Sequence, residues 1–141
     1  MTGAAASGVV ASSVVAITAN DGVVQARQKV RALAQECRLS WVDQTKLITA
    51  ASELARNTLV YGGGGTMTAT VVDEGGRRGV RAVFADQGPG IADVGLALTD
   101  GWTSGTGMGL GLSGSRRLVD DFTLDTAPGQ GTTVTITKWT R

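Results

Sequence analysis

Glu53 and Asn57 stand four residues apart, and Asp86 opens the run Asp86-Gln87-Gly88-Pro89-Gly90. A glycine cluster, Gly105-Thr106-Gly107-Met108-Gly109-Leu110-Gly111, follows further on. A carboxylate and an amide at i and i+4 share one helix face. The amide oxygen of Asn57 is a hard ligand suited to Mg²⁺, and Glu53 can take a proton from a nucleophile or orient a water. A carboxylate such as Asp86, beside glycines that admit a ring, suits an exocyclic amine like that of adenine. The backbone N–H groups of the glycine cluster form an anion nest, reinforced by the helix that follows. A last turn, Gly129-Gln130-Gly131-Thr132-Thr133, places a hydroxyl where it can face Asp86. Each piece alone also reads as ordinary structure: a solvated Glu with a capping Asn, a tight turn, a flexible linker, a hairpin. The glycine cluster lacks the Lys-Ser/Thr ending of a P-loop, and no strand immediately precedes it as a dinucleotide fingerprint requires.

Composition removes several alternatives. The chain contains no histidine. That excludes within it a Ser-His-Asp triad, a histidine metal site and a phosphohistidine. A single cysteine, Cys37, excludes an internal disulfide and reads as a small buried hydrophobe. A general base is therefore a carboxylate, Lys29, Lys46, Lys138, Tyr61 or a water. The 13 basic and 12 acidic residues are scattered, without the basic stripe that nucleic acid requires. No apolar run is long enough to span a membrane, and the N-terminus lacks the charged region of a secretory signal. Cytoplasmic residence, with neither nucleic acid nor membrane as partner, is the expectation.

The elements that must position these residues follow from periodicity. Residues 1–8 are small, polar and expected to be disordered, and residues 9–141 are expected to form one domain. Residues 9–18 are β-branched and read as a strand. Asp21 is the expected cap of a helix from 23 to 38, with Val23, Ala26, Val30, Leu33, Ala34 and Cys37 as its apolar stripe. Residues 39–42 read as a connector, and Asp43 as the cap of a second helix running to Tyr61. Its inner stripe is Leu47, Ala51, Leu54 and Thr58, and the four glycines 62–65 end it. Residues 66–72 and 80–85 read as a hairpin around the turn 73–79. Residues 87–111 read as a long loop holding a short helix near 93–98. A helix over 112–120 and strands over 122–125 and 132–139 complete the chain. The pattern predicts an α+β two-layer sandwich, with helices on one face of a mixed, mostly antiparallel sheet.

In that order the pieces resemble the Bergerat-fold ATP-binding domain shared by gyrase, Hsp90, histidine kinases and MutL. The stretch from Glu53 to Asn57 resembles the N box, Asp86 to Gly90 the G1 box, Gly107 to Leu112 the G2 box in the ATP lid, and Gly129 to Thr133 the G3 box. Finer detail resembles the RsbT-type serine/threonine switch kinases: Thr49-Ala50-Ala51-Ser52-Glu53-Leu54-Ala55-Arg56-Asn57, Asp100-Gly101-Trp102-Thr103-Ser104, Arg117-Leu118-Val119-Asp120-Asp121-Phe122 and Thr137-Lys138-Trp139.

The resemblance implies a bacterial partner-switching stress kinase that uses ATP and Mg²⁺. Such a kinase phosphorylates Ser or Thr on STAS-domain proteins and, when released, activates a PP2C-type phosphatase. It implies that Asn57 ligates Mg²⁺, that Asp86 reads the adenine amine with Gly88 and Gly90 allowing close approach, and that Thr133 supports Asp86. It implies too that Thr103, Ser104, Gly105, Thr106, Gly107, Met108, Gly109, Leu110, Gly111 and Leu112 close over the triphosphate. Glu53 is the candidate base, or an orienting group, for the acceptor hydroxyl. The alternative is an RsbW-type anti-sigma factor that sequesters a sigma factor. That type usually carries an arginine just before the glycine lid, and the stretch 102–106 has none. An ATPase or ATP-sensing scaffold, with Glu53 activating water, is a third reading.

Overall fold

A computed structural model of the protein describes residues 9–98 and 111–141, with side chains from residue 14 onward. The expected disorder of residues 1–8 and most of the predicted lid lie outside the described residues. The elements run β1 (Val9–Ile17), α1 (Asn20–Glu36), α2 (Trp41–Val60), β2 (Gly65–Glu74), β3 (Arg77–Asp86), α3 (Val94–Ala97), α4 (Leu112–Leu118), β4 (Asp121–Thr126) and β5 (Thr132–Trp139). The five strands form one sheet in the order β1-β2-β3-β5-β4. The expected α+β sandwich is present, but every described pairing is antiparallel, so the sheet is not mixed. The physical reason is the pair of helices between β1 and β2. Two consecutive reversals return the chain to the end from which it left β1, and β2 then runs the opposite way.

The side-chain period of two assigns the strand faces. Val80, Ala82 and Phe84 of β3, with Val134 and Ile136 of β5, are buried against Leu47, Ala51 and Leu54 of α2 and Val30 and Leu33 of α1. Two corrections to the helix starts have local causes. Asp21 does not cap α1; Ala19 occupies that position and Asp21 lies in the first turn. Asp43 does not cap α2 either. Ser40 does, its Oγ accepting from the Asp43 N–H at 3.1 Å.

Asp43 has another role. Its carboxylate is 3.5 Å from Lys138 Nζ, and the same ammonium is 3.6 Å from Asp120. Lys138 ends the inward row of β5 and is only 4% exposed, so its charge is held almost wholly by carboxylates from α2 and from the connection between α4 and β4. Arg141 pairs with both acids from the solvent side. Burial raises the Asp120 carboxyl, but the Trp139 N–H, the Arg141 hydrogen bond and the two cationic charges outweigh it, and its pKa lies below the ordinary carboxylate value. A folded-state pKa below the unfolded one adds stability above the unfolded pKa that is lost as pH falls through the folded value. Lys138→Met is expected to lower stability by about 2 kcal/mol, because two carboxylates lose their buried partner. The thermal midpoint should drop by about 6 °C at neutral pH, and Asp120→Asn should flatten the acid limb of the midpoint-against-pH curve. An unchanged midpoint in Lys138→Met would show the network to be idle.

Candidate functional site

Asp86 ends the inward row Val80-Ala82-Phe84 of β3, so the period that builds the core delivers a carboxylate to the core's edge. It is 9% exposed, and its Oδ1 accepts from the Gly88 N–H at 2.9 Å. Its register partner on β5 is Thr132. Around this pair opens a cleft walled by Leu54, Phe84, Ile91, Leu112 and Val134, with Asn57, Thr58, Tyr61, Asp86 and Thr132 as its polar groups.

The end of α2 is pressed onto this carboxylate. The Asn57 carbonyl accepts from the N–H groups of Tyr61 and Gly62, at 3.0 and 2.9 Å, which closes the helix. Gly62 then lies against the Asp86 side chain, and a Cβ there would collide with the carboxyl group. A Cβ on Gly88 would in turn stand 2.7 Å from the Gly62 Cα. Only glycine lets the helix terminus, the carboxylate and the turn meet so closely. Tyr61 braces the turn from the other side, its hydroxyl donating to the Gly90 carbonyl at 3.0 Å.

The hydroxyls at the cleft can be counted through. Thr126 Oγ1 accepts from the Ile91 N–H and bonds to the Gly131 carbonyl, both at 2.9 Å. A hydroxyl carries one proton, and a carbonyl can only accept it. The 2.9 Å contact between Thr126 and Thr132 Oγ1 is therefore made by the Thr132 proton. Thr132 is left with lone pairs beside Asp86. The base of an apolar cleft thus presents a carboxylate and a hydroxyl oxygen, both acceptors, and the matching ligand is a flat apolar group bearing N–H donors.

Asn57 borders the cleft and Glu53 stands one turn back on the same helix, exposed to solvent. Glu53 Oε2 lies 2.9 Å from where a Cβ on Gly111 would be. Gly111, in the left-handed conformation with φ 64, turns the chain into α4, whose Leu112 joins the cleft wall. The structure therefore brings together Glu53, Asn57, Asp86, Gly88, Gly90, Gly111 and Leu112. Thr133 is placed elsewhere: it pairs with Ala85 in the outward row, while Thr132 lines the cleft. Thr103, Ser104, Gly105, Thr106, Gly107, Met108, Gly109 and Leu110 lie outside the described residues. Gly62 and Thr126 join the site only in the folded chain, Tyr61 enters it as a brace for the turn, and within the turn 129–133 it is Thr132 that faces the cleft. For Gly62 the available signal was its place directly after the Asn57 helix.

A family model described as histidine kinase-, DNA gyrase B-, and HSP90-like ATPase matches residues 42–140. The chain belongs to that ATPase family. Within it, the chain is RsbT-like: the serine/threonine-protein kinase RsbT of Bacillus subtilis (strain 168) is 41% identical over 119 residues, 84% of this chain and 90% of that protein. The crystal structure of the RsbU and RsbW domains of a Mycobacterium tuberculosis protein superposes with a TM-score of 0.62 at 20% identity. The match covers 94% of this chain but only 33% of that one, and it bears on the fold alone.

The residues present fit an adenine nucleotide. The acceptor pair suits the adenine amine, and the glycine contact at Asp86 leaves no room for side chains beneath it. No group of three or more His, Cys, Asp or Glu residues suited to a metal is found among the described residues. Asn57, whose amide oxygen is a hard ligand, is the residue at the cleft that would hold a Mg²⁺. Thr132→Val is expected to weaken ATP binding by this ATPase-family domain about tenfold, for one hydrogen-bonding group lost. Thr133→Val is expected to leave it unchanged. Calorimetric titration of both variants decides between the neighbours, and equal effects would argue against the assignment to Thr132.

Proposed function

We propose that the chain is an ATP-dependent serine/threonine protein kinase whose acceptors are STAS-domain regulatory proteins. On this reading it also binds and activates a PP2C-type phosphatase when released from them. The observation that carries the reading is the contact at Gly62, which joins the acceptor pair Asp86–Thr132 to the helix bearing Asn57 and Glu53. Base recognition and the reacting end of a nucleotide then share one rigid support. The 41% identity to a serine/threonine-protein kinase over most of the chain supports the reaction type.

Bound Mg²⁺ would supply charge neutralisation to the triphosphate, and ATP the phosphoryl group. The chain's own residues position and orient, which is most of what phosphoryl transfer requires. Asp86 and Thr132 accept the base's N–H donors, while Leu54, Phe84, Ile91 and Val134 exclude water from its faces. Asn57 would hold the metal through its amide oxygen. Glu53, one turn from Asn57 and beside the Gly111 turn, accepts the hydrogen bond of the incoming serine or threonine hydroxyl and takes its proton. A loose transition state demands little base strength, so an exposed carboxylate suffices.

The test incubates the purified chain with Mg²⁺-ATP and each STAS-domain protein of the same organism, then reads phosphate by mass spectrometry. Phosphoserine or phosphothreonine on at least one of them is expected. ATP bound in the cleft with no phosphate on any STAS protein would overturn the reading, and steady hydrolysis without an acceptor would favour an ATPase.

A further inference from the structure

On the solvent side of the helical layer, a seam runs between α1 and α2 with a hollow on either side of the Arg27 Nε–Ser52 Oγ hydrogen bond, 3.0 Å long. One hollow is bordered by Arg31, Gln35, Trp41, Gln44 and Ile48. The other is bordered by Val24, Arg27, Arg56, Leu59 and Val60. From Val24 to Gln35 the seam follows α1 for about three turns, about 17 Å.

Two features of the seam are unfavourable in water. Trp41 is 80% exposed, and Val24 and Val60 are 43% and 49% exposed, so large apolar side chains mark both ends. All the charge bordering the hollows is cationic: Arg27, Arg31 and Arg56, with no carboxylate in either lining. Arg31 and Arg56 make no ion pair among the described residues. Arg27 and Arg31, one turn apart, repel each other. Arginine and tryptophan are also the side chains that most often dominate protein–protein binding energy.

We propose that this seam is a docking groove for an amphipathic helix of a partner protein, with an apolar stripe flanked by aspartate or glutamate. A third helix laid along two antiparallel ones covers Trp41, Val24 and Val60 together, and its acids meet the three arginines. A second copy of this chain fits poorly, because an isologous contact would set arginines against arginines. Nucleic acid would satisfy the charges but leave the apolar residues uncovered. The proposal stands independently of the kinase reading, since neither Asp86 nor Asn57 borders the seam.

The test uses two synthetic fluorescein-labelled helical peptides of about 18 residues, sharing one leucine stripe but flanked by glutamate in one and lysine in the other. Anisotropy with the full chain should give saturable binding of the glutamate peptide, at least about tenfold tighter than the lysine peptide. Trp41→Ala should weaken it about thirtyfold, and Arg31→Glu should reverse the preference. Both side chains are exposed, and unchanged circular dichroism and thermal midpoints would confirm that the variants fold. Absent or equal binding of the two peptides, or indifference to Trp41→Ala, would overturn the proposal. So would sedimentation showing a dimer that Trp41→Ala dissociates, which assigns the seam to a second copy, or displacement of the peptide by a single-stranded oligonucleotide.

Discussion

Asn57→Ala is expected to reduce phosphoryl transfer by about a thousandfold, the scale on which loss of one preorganised electrostatic contact acts on a transition state. The fold should survive. Asn57 closes α2 through its backbone carbonyl, which accepts from Tyr61 and Gly62 whatever the side chain, and alanine is the better helix former. The variant should therefore keep its thermal midpoint and still bind nucleotide in the presence of EDTA, where the metal contributes nothing. What it should lose is the strengthening of binding on adding Mg²⁺, together with transfer. Asn57→Asp separates the ligand role from a packing role, because it keeps an oxygen at the same place and should recover part of the Mg²⁺ dependence. Transfer at the wild-type rate in Asn57→Ala would remove Asn57 from the site.

The parts of this site that were legible in the sequence are those set by local pattern. Asn57 and Glu53 could be paired because i and i+4 on a helix share a face whatever the tertiary structure. Asp86 could be placed because an alternating strand and a glycine turn bracket it. What was not legible depends on partners far away in the chain. Gly62 reads as a helix stop, and its second role appears only when Asp86, 24 positions on, is folded against it. Thr132 and Thr133 are adjacent and chemically alike. Which one faces the cleft is decided by the register that pairs Thr132 with Asp86, and a one-residue slip would exchange them. Ser40 and Asp43 are both good caps by type, and the balance is tipped by Lys138, which draws Asp43 into a buried pair from the other end of the chain. The antiparallel sense of β1 and β2 likewise follows from two helices packing as neighbours, a fact about their contact more than about either helix's sequence.

Asp86→Asn is expected to weaken ATP binding about a hundredfold while leaving the fold intact, and the stronger expectation is a change of base preference. The substitution keeps volume and keeps an acceptor for the Gly88 N–H, so the turn that Oδ1 holds at 2.9 Å has its partner still. With the asparagine oxygen committed there, the amide NH₂ takes the other position and points a donor at the donor of the adenine amine. The cost is that of losing a hydrogen bond to a charged group, about 1.5–3 kcal/mol, which converts to roughly ten- to hundredfold or somewhat more. A purine with an oxygen in place of the exocyclic amine offers an acceptor at the same point. Inosine triphosphate should therefore gain on ATP in the variant, narrowing or reversing the wild-type order. Removing a hydrogen bond nonspecifically would weaken both nucleotides alike, so the ratio of their dissociation constants separates recognition by Asp86 from mere damage to the cleft. If the ratio does not move between wild type and Asp86→Asn, the carboxylate does not read the base, and the acceptor pair at the foot of the cleft needs a different ligand.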